Sequence, residues 1–180
     1  MIQFEVDMPS LRKVEKRLGD IKDKAPKVMA SALNDTAKDA RKRLAEKAMQ
    51  AYTVKSGKFN KAMKIKKATS GHLEAEIRSR GKPLNITNFK YSVPKSGAKS
   101  QIVASGSLKQ LVMGNIRAFK GKNGLIWQRR SADRIPIKPL KSNSIPVMIG
   151  SEKRVYGVVE PHIKSDLKKN MEAEIRKILR

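Results

Sequence analysis

Lys27-Val-Met-Ala-Ser-Ala-Leu-Asn-Asp-Thr-Ala-Lys-Asp-Ala-Arg-Lys-Arg-Leu-Ala-Glu-Lys-Ala-Met-Gln50 is the stretch on which the fold turns. Met29, Leu33, Ala37, Ala40, Leu44 and Ala48 recur every three or four residues, which is one face of an α-helix. The stripe is rich in alanine, so another helix can approach it closely. The opposite face carries Lys38, Arg41, Lys42 and Lys47 among Asp35, Asp39 and Glu46, the make-up of a solvated face with i,i+4 ion pairs. Toward the N-terminus, Leu11, Val14, Leu18 and Ile21 predict a first amphipathic helix. Ser10 would be its N-cap, and Pro26 would end it near Lys24. Before it, Ile2, Phe4 and Val6 alternate with polar residues, the pattern of a half-buried strand.

Beyond Gln50 the period changes from helix to strand. Met63 and Ile65, then Leu73, Ala75 and Ile77, alternate with polar residues around Thr69-Ser-Gly-His72. This predicts a hairpin of roughly 61–68 with 73–80. Residues 81–107 are rich in Gly, Ser, Pro and Asn and read as a long loop with a short strand near 101–104. Gly121-Lys-Asn-Gly124 reads as a turn between strands at 117–120 and 125–129. The prolines of Ile135-Pro-Ile-Lys-Pro-Leu140 keep that segment extended and out of helix or central strand. Residues 147–159 are ambiguous. Pro161 then suits a first helical position, followed at helical spacing by Ile163, Leu167, Met171, Ile175 and Ile178. The expected class is α+β in one domain of 180 residues. An N-terminal strand and two helices (1–50) lead into a basic region of small antiparallel sheets and long loops (51–150), then a C-terminal helical region (151–180).

The charge is +25, with 41 Lys and Arg against 16 Asp and Glu. It is concentrated. Residues 51–151 hold 21 basic and 3 acidic residues, while the flanks carry +4 and +3. From Ile77 to Ser151 the only acid is Asp133. A field of that size favours polyanionic partners. Lys64, Lys66, Lys67, Lys82, Lys90, Lys120, Lys122, Arg129, Arg130 and Arg134 are the candidate contacts to DNA or to an acidic partner. Aromatic residues lie among them: Phe59, Phe89, Tyr91, Phe119 and Trp127. Cations with stacking rings suit a nucleic-acid surface. The plainer reading makes the rings core anchors of small strands.

No catalytic constellation is present. His72 falls in the first turn and His162 follows Pro161, and neither belongs to a zinc-binding pattern. Glu74 and Glu76 share a strand face and are expected to be solvated beside lysines. There is no cysteine, so disulfides and thiolate chemistry are excluded. No phosphate-loop or dinucleotide fingerprint occurs, and no cofactor or metal is expected. The opening octapeptide has two acids and no basic run, unlike a signal peptide. The apolar run Ile145–Ile149 is too short to span a bilayer. Together these point to a soluble product of the cytoplasm. Apolar content of 39% is low for a globular chain, as in a protein partly held by partners.

Several phrases in order carry a family resemblance. They are Ala51-Tyr-Thr-Val-Lys-Ser-Gly-Lys-Phe-Asn-Lys-Ala-Met-Lys-Ile-Lys-Lys-Ala-Thr69, Ile77-Arg-Ser-Arg-Gly-Lys-Pro-Leu84 and Ser105-Gly-Ser-Leu-Lys109. Gln128-Arg-Arg130, Arg134-Ile-Pro-Ile-Lys-Pro-Leu140, Ile145-Pro-Val-Met-Ile-Gly150 and Glu174-Ile-Arg-Lys-Ile-Leu179 follow. Together they resemble the prophage minor tail protein Z family. The resemblance implies a non-enzymatic virion protein of a long-tailed phage, made in the host cytoplasm. It would act at the head-proximal end of the tail, in tail completion or head–tail joining. It would form a homo-oligomeric, hexameric ring on the tail axis, with no membrane contact. Its implied neighbours are the tail terminator or tube protein, the tape-measure protein, head–tail connector proteins and the viral DNA. A free basic nucleic-acid-binding protein is the alternative. A host-directed toxin or nuclease is a third reading, opposed by the missing His/Asp/Glu constellation.

Overall fold

The computed structural model describes residues 2–5, 8–54 and 57–179. Strand β1 (Ile2–Glu5) leads into helix α1 (Met8–Leu18), and Val6 of the expected strand lies outside the described residues. Pro9 stands in the first turn of α1, where its fixed φ favours helix. Ser10 is therefore inside the helix and not its N-cap. The helix stops at Leu18 because Gly19 takes a left-handed φ of 55°, open to glycine without steric cost. A 3-10 stretch (Gly19–Lys24) follows, and Pro26 then opens the long helix α2 (Ala25–Ala51) instead of closing the first one.

All six residues of the expected α2 stripe are buried, none more than 1% exposed. The alanines among them let α2 lie against α5 (Tyr156–Ile178) on one side and a three-stranded sheet on another. Beyond α2 comes a short helix, α3 (Lys58–Ala62), whose last two residues fall inside the strand expected over 61–68; it seats the fully buried Phe59. Strands β2 (Met63–Lys66) and β3 (Glu74–Ser79) form the expected hairpin, with Ile65 opposite Ile77. On its other edge β3 takes β1, with Ile2 opposite the same Ile77. Ala75 and Ile77 enter the main core with Leu33, Leu44, Met63, Met148 and Ile163. The hairpin end is clamped to α2 by one side-chain amide. Asn34 Nδ2 donates to the Ala68 carbonyl at 3.0 Å, and the Ala68 N–H donates to Asn34 Oδ1 at 2.8 Å.

Residues 81–107 are not the long loop their composition predicts. They contain β4 (Leu84–Asn85), a 3-10 turn (Ile86–Asn88), β5 (Lys90–Ser92) and β6 (Lys99–Gln101). β5 pairs with β6, and Thr53 and Ala51 at the end of α2 bond to the segment just after β6. Ile86, Phe89, Ala98 and Gln101 are buried. Backbone pairing within the chain supplies the order that scattered hydrophobic residues do not advertise. The exposed turn Pro94–Gly97 is the weak point. Limited trypsin digestion is expected to cut first after Lys95. First cleavage after Lys90 or Lys99, both in paired strands, would contradict this pairing.

The rest of the basic region is a string of small sheets. β7 (Lys109–Gln110) adds to β6, while β8 (Val112–Met113) and β9 (Ile116–Arg117) form a hairpin of their own. β10 (Phe119–Lys120) and β11 (Ile126–Arg129) form the expected hairpin across Gly121–Gly124. β12 (Ile137–Pro139) adds to its edge, where proline is tolerated, and β13 (Lys141–Ser142) pairs with β4. Ile86, Ala98, Ala118 and Ile126 make a small core of their own.

The ambiguous 147–159 segment resolves into helix α4 (Ile145–Ile149), a turn, and the start of α5. The Tyr156 and Val155 N–H groups both reach the Ser151 carbonyl, so the helix begins before Pro161. Pro161 therefore lies inside α5, and His162 with it, contrary to the expected start. Burial, then the nearby Glu160 and Glu152, raise the Tyr156 hydroxyl above its usual range. At Gly157 a Cβ would stand 2.5 Å from the Glu152 carbonyl oxygen. That neighbour is backbone and cannot rotate away. Gly157→Ala is expected to destabilise the protein by about 1–3 kcal/mol, read as a lower melting temperature; an unchanged Tm would contradict this packing.

Candidate anion-contacting surface

The ten sequence-predicted cations fall on three separate groups of elements. Lys64 and Lys66 share one face of β2, with Lys67 just beyond it. Across the sheet on that face stand Arg78 opposite Lys64 and Glu76 opposite Lys66. Lys82 precedes β4, and Lys90 opens β5 opposite Gln101. Lys120, Lys122, Arg129, Arg130 and Arg134 belong to the β10–β12 sheet and its connections. Lys120 pairs with Ile126 and lies on that residue's side of the sheet. Arg129 is on the other side, with Trp127. The ten do not converge on one pocket. They fringe several small sheets, as a broad field would.

Nine of the ten are exposed and Arg129 is half-buried. Among the described residues none of the ten is in an ion pair. Between residues 57 and 151, the described ion pairs are Arg78 with Glu76 at 2.6 Å and His72 with Glu74 at 3.5 Å. In α2 and α5, by contrast, Lys38 meets Asp35 and Arg43 meets Asp166 at 2.7 and 2.8 Å. The middle of the chain thus carries an uncompensated positive field, whereas the helices neutralise part of theirs.

Most of the interleaved aromatic residues point inward. Phe59 and Phe89 are buried, and Tyr91 packs against the small core. Phe119 is covered by the Arg129 guanidinium, 5.8 Å from its centroid. The Trp127 Nε1–H donates to Asn123 Oδ1 at 2.9 Å, which fixes the indole on its own turn. These rings anchor strands. The surface offers cations for phosphate or carboxylate oxygens rather than platforms for bases.

Glu76 departs from the solvated face expected of it. It is 1% exposed at the centre of the sheet, where Gln3 and Lys66 are its cross-strand neighbours on the same face. Arg78 Nε donates to its Oε2. Its other oxygen, with Ser79 Oγ, has no hydrogen-bond partner among the described residues. Sequence reasoning missed Arg78 as the partner of this carboxylate. The signal was the i,i+2 spacing of Glu76 and Arg78, which places them on one face.

His72 sits in the β2–β3 turn with the Glu74 carboxylate 3.5 Å from its Nε2, and His162 lies on α5. Among the described residues no three His, Asp or Glu side chains gather to hold a metal ion. Among them also, no helix is long and apolar enough to cross a membrane. The family model of prophage minor tail protein Z (GPZ) matches residues 11–180. The chain belongs to this family. No curated protein and no solved structure matches it. Minor tail protein Z proteins are structural components of the phage tail and not a known enzyme family. That places the chain in the tail of a virion, in contact with other tail components.

Proposed function

We propose that this minor tail protein acts as a single domain at the head-proximal end of the tail of a long-tailed phage. There it completes the tail or joins it to the head, as a subunit of a hexameric ring around the DNA path. It performs no turnover. Its neighbours are the tail terminator or tube protein, with the tape-measure and connector proteins beside them.

One observation carries this reading: residues 51–151 hold 21 basic and 3 acidic residues, and none of the ten candidate cations has an ion-pair partner among the described residues. A ring subunit facing packaged DNA needs such a field and no base-specific contacts. Inward-facing rings and dispersed cations suit a lumen wall better than a sequence reader. The small sheets at 84–142, held by short pairings, suit a segment that packs against neighbouring subunits.

Electron microscopy of particles made with and without the protein tests it. Tails that are absent, detached from heads or unable to retain DNA are the expected defect. Normal infectious particles without the protein would overturn the structural role and favour the free nucleic-acid binder. In assembled particles the Lys95 site should become resistant to trypsin; equal cleavage in free protein and virion would count against burial of this segment in the assembly.

A further inference from the structure

A second surface, away from the basic sheets, lies between α1 and α5. The two helices converge where Val14 and Leu18 pack with Ile175. Alongside that contact runs a groove of about 590 Å³. Its floor is apolar: Val14 from α1, with Leu167, Met171 and Ile175 at helical spacing on α5. Leu167 and Met171 remain half-exposed there. Its rim is cationic. Lys13, Lys16 and Arg17 line one side, Lys164 and Lys168 the other, all exposed. The one acid in the lining, Glu172, already faces Arg176 at 3.9 Å.

We propose that this groove is the docking site for an acidic amphipathic helix of a partner protein. An apolar floor between two cationic rims matches a helix that carries apolar anchors at i, i+3, i+4 and i+7, with carboxylates on both flanks. The rim fixes direction and speeds encounter, and the floor supplies the burial. Nucleic acid fits poorly, because no ring lines the groove for a base and four apolar side chains oppose phosphate. A second copy of this chain fits this groove poorly, because the long helices it could offer, α1, α2 and α5, each carry more cations than acids. This inference does not rest on the DNA-path reading, and its variants leave residues 51–151 untouched.

The test uses the full chain and a synthetic helical peptide with leucines at i, i+3, i+4 and i+7 and glutamates elsewhere, followed by fluorescence anisotropy. The control is a peptide of the same composition with its leucines scattered. The amphipathic peptide should bind at least tenfold more tightly than the control. Lys16→Glu with Lys168→Glu, both on the exposed rim, should weaken it at least tenfold. So should Met171→Gln, with an unchanged circular dichroism spectrum. Equal binding of both peptides, or wild-type affinity in both variants, would overturn the proposal. Displacement of the peptide by duplex DNA, with a Lys16→Glu, Lys168→Glu protein losing DNA affinity to the same extent, would reassign the groove to nucleic acid. A concentration-dependent dimer that excludes the peptide would reassign it to a second copy.

Discussion

Leu44→Asp is expected to give a chain without a cooperative unfolding transition. Leu44 is 0% exposed in the middle of α2, in the core that joins that helix to β3, α4 and α5. Removing a buried leucine side chain costs about 2–5 kcal/mol through lost burial and the cavity left behind. The new carboxylate would stand in a core cluster of buried apolar side chains, which offer no cation. An unpaired charge there adds a penalty of several kcal/mol. The total approaches or exceeds the roughly 5–15 kcal/mol that holds a domain of this kind together. Circular dichroism should show reduced helix and no sigmoidal melt. Lys42→Asp, at an exposed position two residues away, should stay within about 0.5 kcal/mol of wild type. A folded Leu44→Asp protein with the wild-type spectrum would refute the placement of this core.

The second large effect concerns charge. Reversing Lys120, Lys122, Arg129 and Arg130 to Glu moves the formal charge by eight units toward neutral. Each phosphate that is no longer neutralised takes about 0.9 from the slope of log affinity against log salt, so the slope should flatten by about 3–4. DNA affinity at low salt should drop at least about a hundredfold, and infectivity should be abolished. Arg129 also lies over Phe119, so the spectrum must be checked before the weaker binding is read as electrostatic. Splitting the variant separates the faces, since Lys120 and Arg129 lie on opposite sides of their sheet. Unchanged affinity and infectivity in the quadruple variant would remove the DNA-facing role of this sheet.

Long periodic segments are legible from the residues alone. The α2 stripe, the β2–β3 hairpin and the turn at Gly121–Gly124 each rest on a repeat of burial or on turn chemistry within a few residues. The sequence misleads at proline. Pro26 reads as a stop yet opens α2, while Pro161 reads as a start yet lies within α5. A proline restrains its own φ and the residue before it, but which helix benefits depends on what its neighbours pack against. The candidate surface is legible as a charge bias and not as a geometry.

By itself the sequence determined the α+β class, the buried face of α2, the concentration of charge between residues 51 and 151, and the absence of thiol chemistry. Those depend on composition and on neighbours within a turn or a hairpin. The tertiary structure alone decided the rest. It set β1 beside β3, roughly seventy residues away, and threaded 84–101 into paired strands. It also buried Glu76, turned most of the interleaved aromatic residues inward, and left an apolar floor between two cationic helices. Each of these outcomes is a meeting of segments distant along the chain, where burial is settled by which surfaces come together and not by any local period.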